Sequence, residues 1–221
     1  MKEYLVSTIA LCYNHSEFLV ETLNSVLNQT YKDFEIIIVN DGSTDKSVDL
    51  IKTFSDSRII IITQENKGLS SARNKGIANA KGNIIALLDA DDLWHNIFLE
   101  TIYNLYLKFP EASFYGTDYL EKYSDNNIVG TAKNIKNSLK NKNFLVEDFF
   151  VSNKFQPIIC QSTLAFKQEV INHITFDETI NYAEDVDFYI NSFLTYKLAY
   201  NYYNYEFLRK TRCQASQAEY G

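Results

Sequence analysis

An apolar strand that runs straight into acid, Ile84-Ile85-Ala86-Leu87-Leu88-Asp89-Ala90-Asp91-Asp92, most limits what this chain can fold into. A run that apolar suits a strand covered on both faces, and its end then delivers three carboxylates to one edge of the sheet. Such a cluster is electrostatically costly unless a cation offsets it. The alternative is that Asp92 caps a helix starting near Leu93, with the others as solvated loop acids. The position at a strand end favours the first reading.

This run closes a series. Tyr4 to Leu11, Phe34 to Val39, Arg58 to Thr63 and Asn83 to Leu88 read as strands. Helical segments lie between them, over Glu17 to Gln29, Asp45 to Phe54 and Ser70 to Ala80, the last ended by Gly82 near its C-cap. Strands alternating with helices predict an α/β fold, a mostly parallel central sheet with helices on both faces. Ligands of such sheets sit beyond the carboxyl ends of the strands. Here those ends carry Tyr13-Asn14, Asn40-Asp41, Gln64-Glu65-Asn66 and Asp89 to Asp92, which should converge on one rim.

The second half is less regular. Asn96 to Lys108 reads as a helix, and Ser113 to Asp118 with Tyr119 to Tyr123 as strands, paired in a hairpin near the sheet edge. Lys133 to Asn143 reads as a mobile surface loop, Leu164 to Phe166 as a strand, Glu184 to Leu194 as a helix and Ala199 to Leu208 as late strands. One domain is expected, with residues 1–95 as a regular half and 96–221 as an irregular half.

Four segments carry candidate chemistry. Hard cations such as Mg²⁺ or Mn²⁺ take oxygen ligands and bridge to phosphates, so Asp91, Asp89 and Asp92 are candidate metal ligands. In Val39-Asn40-Asp41-Gly42-Ser43, Asp41 reads either as an acceptor for a base or ribose or as part of a β-to-helix turn. Tyr13 either stacks on a base or closes the core. In Asn66-Lys67-Gly68-Leu69-Ser70-Ser71-Ala72-Arg73, the helix start favours an anion, and Arg73 either reaches a phosphate or pairs with a rim aspartate. In Ala183-Glu184-Asp185, Asp185 reads either as a general base or as first-turn acid matching the helix dipole.

Charge and spacing exclude other classes. A formal net charge of −7 gives no electrostatic case for nucleic acid. No Gly-x-Gly-x-x-Gly occurs, against a dinucleotide oxidoreductase, and Leu11-Cys12-Tyr13-Asn14-His15 has no glycine-rich loop for a sugar nucleotidyltransferase. His15, His95 and His173 lack ligand spacing. Cys12, Cys160 and Cys213 read as reduced thiols of a cytoplasmic protein. No apolar run approaches a membrane span, and Leu5 to Leu11 is too short for a signal peptide.

In order, Val6 to Asn14, Ser25-Val26-Leu27-Asn28-Gln29-Thr30, Glu35 to Ser43, Asn66 to Gly76 and Leu87 to Trp94 resemble family 2 of the glycosyltransferases, inverting enzymes with the GT-A fold. The resemblance covers nearly the whole chain. It implies that Tyr13 and Asp41 contact the nucleotide base, and that Asp89 and Asp91 form the Asp-x-Asp motif. A nucleotide-sugar site of Tyr13, Asp41, Asn66, Gly68, Arg73, Asp89, Ala90 and Asp91 follows, with Asp185 as the base. It further implies a divalent metal, Mn²⁺ or Mg²⁺, a UDP-sugar before other donors, and inversion. The acceptor is expected to be a glycan or a lipid-linked sugar in surface polysaccharide synthesis, reached at the inner face of the membrane by peripheral association. Two departures stand out. Leu11-Cys12 replaces the usual Pro-Thr or Pro-Ser pair, and Arg209-Lys210-Thr211 has threonine where an Arg-x-His element has histidine. These departures leave room for a degenerate module that binds nucleotide-sugar without catalysis.

Overall fold

A computed structural model describes residues 5–122, 127–130, 133–203 and the backbone of 208–210. The opening half alternates as its periodicity requires: β1 (Val6–Cys12), α1 (Leu19–Leu27), β2 (Phe34–Asp41), α2 (Ser47–Lys52), β3 (Ile59–Gln64), α3 (Leu69–Ala78) and β4 (Ile84–Leu88). There follow α4 (Phe98–Lys108), β5 (Phe114–Thr117), β6 (Leu120–Lys122), β7 (Ile128–Gly130), β8 (Lys142–Leu145), α5 (Phe149–Ser152), β9 (Leu164–Lys167), α6 (Glu184–Phe193), β10 (Leu198–Tyr202) and β11 (Leu208–Lys210). Eight strands form one sheet in the order β3-β2-β1-β4-β9-β5-β10-β8. Its parallel pairs are β1 with β2, β2 with β3, β1 with β4 and β5 with β10, and β9 runs antiparallel between β4 and β5. The expected mostly parallel α/β sheet, with helices on both faces, is what forms.

Two cores explain why the central strands are mostly apolar. On β2, Phe34, Ile36 and Ile38 pack on one face with Leu23 of α1 and Phe98 and Ile102 of α4. Ile37 and Val39 face the other way, toward Ala72 and Ile77 of α3 and Phe188 of α6. Alternate side chains therefore meet different helices, and no position on the strand faces water.

Within the apolar run of this strand Glu35 is fully buried; its Oε1 is held locally, and among the described residues its Oε2 has no hydrogen-bond partner. Oε1 accepts from Ser7 Oγ at 2.6 Å and from the Lys81 amide at 2.8 Å, while Ser7 Oγ accepts from the Gly82 amide at 2.8 Å. This brace changes the role expected of Gly82. The C-cap of α3 is Asn79, and Gly82 instead lies flat against β1, where an added Cβ would fall 2.6 Å from the Ser7 amide nitrogen. Gly82→Ala should therefore destabilise by about 1–3 kcal/mol, read as a lower urea midpoint with unchanged slope. An unchanged midpoint would mean the turn has slack.

The second half departs from expectation in two places. β5 and β6 do not form a hairpin: β5 joins the large sheet, whereas β6 pairs with β7 and β11 in a separate three-stranded sheet. Nor is 133–143 only a loop. It contains a short 3-10 turn over Asn137–Leu139, and Lys142 starts edge strand β8, antiparallel to β10. A Lys- and Asn-rich composition signals exposure, and an edge strand can be exposed while one side of its backbone is paired.

Candidate functional site

The β4 strand reaches the rim and is clamped there. Thr22 Oγ1 of α1 donates to the Ala90 carbonyl at 2.7 Å. Ser162 Oγ accepts from the Asp89 amide at 3.1 Å and donates to Asp92 Oδ2 at 2.5 Å, while Trp94 Nε1 donates to the Ser162 carbonyl at 2.6 Å. The acidic turn is thus held from α1 on one side and from the turn Gln161–Thr163 on the other. Asp92 is not the helix cap considered for it. It is 4% exposed and engaged with Ser162, it does not line the cavity, and α4 begins only at Phe98. The start of α4 is capped from afar by Gln29, whose Oε1 accepts from the Leu99 amide at 2.9 Å.

Three loops are tied together beside this turn. Asn14, with φ of 53°, accepts from the Thr44 amide at 2.8 Å. Asparagine tolerates that left-handed backbone better than most residues. Asp45 accepts from the Ser16 amide at 3.0 Å, closing the first loop on the second. Gly42, at φ 75°, passes so near the third loop that a Cβ would lie 2.7 Å from the Asn66 nitrogen. Asp41 completes the link, its carboxylate accepting from Gln64 Nε2 at 2.8 Å and from the Lys67 and Gly68 amides at 3.0 Å. The Asp41 side chain therefore organises the third loop, besides reaching the cavity.

A cavity of about 470 Å³ results, lined by Tyr13, Asp41, Asn66, Gly68, Asp89, Ala90 and Asp91 among others. Tyr13 is 45% exposed, its ring available to a planar ligand. Asp91 lines the cavity, and among the described residues nothing donates to its carboxylate. A larger open groove of about 1010 Å³ runs beside α6, lined by Asp177, Glu178 and Asp187. No lysine or arginine lines it, and none of the expected site residues except by chain neighbourhood approaches it.

Arg73 is not open to the cavity. It is 2% exposed, with NH2 3.2 Å from Asp89 Oδ1 and NH1 2.9 Å from Glu184 Oε1. Burial opposes its charge, but the carboxylates of Asp89 and Glu184 outweigh that and raise its pKa above the ordinary value. Of the two roles open to it, the structure realises the pairing with a rim aspartate. The pairing also carries β4 across to α6, where Asp185 follows Glu184. Ala183, just before them, has φ of 60° and ψ of 32°, a left-handed conformation that costs an alanine about 1–2 kcal/mol. The Asp185 carboxylate is half-buried and, among the described residues, accepts only from the next amide, Val186, at 2.8 Å.

Sequence reasoning missed Ser162, Gln161 and the bridging role of Glu184. Ser162 and Gln161 lie in a stretch without periodicity, and nothing local marks them. Cys12 and Cys160 form no disulfide among the described residues, whereas Cys213 and Thr211 lie outside them. Among the described residues no helix is long and apolar enough to cross a membrane, and no three His, Cys, Asp or Glu side chains converge as a metal cage.

Comparison with known proteins agrees with this geometry. The profile described as Glycosyl transferase family 2 matches residues 7–175. The uncharacterized glycosyltransferase EpsJ of Bacillus subtilis is 31% identical over 193 residues, covering 86% of this chain and 56% of EpsJ. The UDP-Glc:alpha-D-GlcNAc-diphosphoundecaprenol beta-1,3-glucosyltransferase WfgD of Escherichia coli is 39% identical over 131 residues, 59% of this chain and 51% of WfgD. The chain thus spans about half the length of these curated relatives. Staphylococcus aureus TarS 1-349, solved in complex with UDP, superposes with a TM-score of 0.75 at 18% identity, over 93% of this chain and 60% of that one.

Proposed function

The chain belongs to glycosyl transferase family 2, and on that footing we propose that it moves a sugar from a nucleoside-diphosphate donor to an acceptor hydroxyl, with inversion at the anomeric carbon. One observation carries the proposal: Arg73 joins Asp89, on the donor cavity, to Glu184, beside Asp185. A binding rim and a candidate base are thereby held in one rigid arrangement. Residues 1–95 would hold the donor and 96–221 the acceptor. The UDP bound to TarS and the UDP-Glc in the name of WfgD favour a UDP-sugar. The diphosphoundecaprenol acceptor of WfgD favours a glycan or lipid-linked acceptor, met at the inner membrane face during polysaccharide synthesis.

In this mechanism Tyr13 stacks on the base, and Asp41, Asn66 and Gly68 shape its edge of the cavity. Asp185 takes the proton from the acceptor hydroxyl as its oxygen attacks C1. The bond from C1 to the diphosphate oxygen breaks, and the nucleoside diphosphate leaves from the opposite face. The site suits a divalent ion held chiefly by Asp91, whose carboxylate lacks a protein donor, with Asp89 retaining one oxygen not committed to Arg73. Mg²⁺ and Mn²⁺ accept one or two carboxylates with phosphate oxygens completing the shell, so a protein-only cage is not required. When bound, the ion would neutralise charge on the departing diphosphate. Asp92 gives one oxygen to Ser162 and does not line the cavity, so the proposed ligand set leaves it out.

A thermal-shift screen of UDP-, GDP-, CMP- and dTDP-sugars, with and without Mn²⁺, tests the proposal. One nucleotide class should raise the melting temperature in a metal-dependent way, and Asp91→Ala should abolish that rise. Equal shifts in the variant would remove Asp91 from the metal site. Donor binding with neither transfer nor hydrolysis would make the chain a binding module.

A further inference from the structure

The turn Gln161–Thr163, between the cavity rim and β9, is held at nearly every backbone position. The Thr163 amide donates to the Cys160 carbonyl at 3.0 Å, and the Cys160 amide donates to Thr163 Oγ1 at 2.9 Å. Ser162 is locked to Asp89, Asp92 and Trp94 as described. Within this turn stands Gln161, 4% exposed, and among the described residues neither its amide nitrogen nor its amide oxygen has a hydrogen-bond partner. Buried side-chain polar atoms in folded proteins are nearly always paired, because each unmet one is strongly unfavourable. A second such group is the Tyr189 hydroxyl of α6, buried and without a hydrogen-bond partner among the described residues. Burial first, then Cys160 and Asp185, push that hydroxyl well above its ordinary range, so it stays a proton donor.

The chemistry of the amide narrows the ligand. Gln161 offers an acceptor and donors side by side. A phosphate or carboxylate only accepts and would leave the amide oxygen unmet, and a cation would engage that oxygen alone. A sugar hydroxyl both donates and accepts. Ser162, the next residue, touches the Asp89 amide, which places Gln161 within one residue of the acidic rim. We propose that Gln161 is a specificity residue whose amide holds a hydroxyl of the sugar being transferred. This rests on reading the cavity as the donor site.

Calorimetric titration compares each parent nucleotide with its sugar conjugate: UDP with UDP-glucose and UDP-N-acetylglucosamine, GDP with GDP-mannose, and dTDP with dTDP-glucose. For whichever pair the wild type binds, Gln161→Leu should weaken the conjugate about tenfold and leave the parent nucleotide unchanged. Leucine keeps the volume and removes the unmet polar atoms, so the variant's thermal midpoint should not fall. A conjugate-to-parent ratio equal to that of wild type overturns the proposal alone. Equal loss for both ligands also overturns it, since Gln161 would then merely prop the rim. Should Gln161→Leu not fold, Gln161→Glu carries the same comparison, because it loses the amide donor at similar size. Wild-type protein that binds none of the pairs overturns the donor-site reading, and this proposal with it.

Discussion

Asp185→Asn is expected to lower the rate of sugar transfer by about 10²–10⁴-fold while leaving donor affinity within about twofold. The replacement preserves the local structure, since an asparagine oxygen can still accept from the Val186 amide, the bond now made at 2.8 Å. What it removes is the capacity to take a proton. Asp185 does not line the cavity proposed for the donor, so donor binding has no reason to change. Isothermal titration with the preferred nucleotide-sugar and a coupled assay of nucleoside diphosphate release separate the two effects. Lost donor affinity in a correctly folded variant would assign Asp185 to binding. Unimpaired transfer would move the base elsewhere.

Arg73→Met should cost about 3 kcal/mol of stability, a fall of roughly 6–12 °C in melting temperature for a domain of this size. The guanidinium is 2% exposed and answers two carboxylates, Asp89 and Glu184, of which Glu184 is 15% exposed. Removing it leaves those charges close together without a partner in a partly buried place. Methionine fills much of the volume, so the loss reports the charge rather than a void. Combining Arg73→Met with Glu184→Met should recover part of the loss, because deleting a whole buried pair costs far less than deleting half of one. If the double variant is no more stable than the single, packing of Arg73 over Phe176, 5.1 Å from guanidinium carbon to ring centroid, is the larger contribution.

Much of this could be read from residue order. The central strands β1, β2 and β4 are mostly apolar because each face meets a different helix layer, and that requirement is written locally. Asp41, Tyr13 and Asp89 to Asp91 were placed at one rim because parallel strands deliver their carboxyl ends to the same side. Element ends moved by a few residues, as with α1, which starts at Leu19 and not Glu17. The second half was harder, since β8, β9 and β10 gain their sheet positions from partners distant in sequence. A short strand such as Lys142–Leu145 has no periodicity long enough to announce itself.

The individual acids mark the clearest division. Sequence determined that three carboxylates leave β4 together, but it could not say which of them remains available. That is decided by who donates to each: Ser162 engages Asp92, Arg73 engages Asp89, and no described residue donates to Asp91. Ser162 is 70 positions from Asp92, and Arg73 is 111 from Glu184. Sequence period fixes which way a side chain leaves its own strand or helix, because that direction follows from local backbone geometry. Which group it meets there depends on how separate elements pack, and only the tertiary structure decides that.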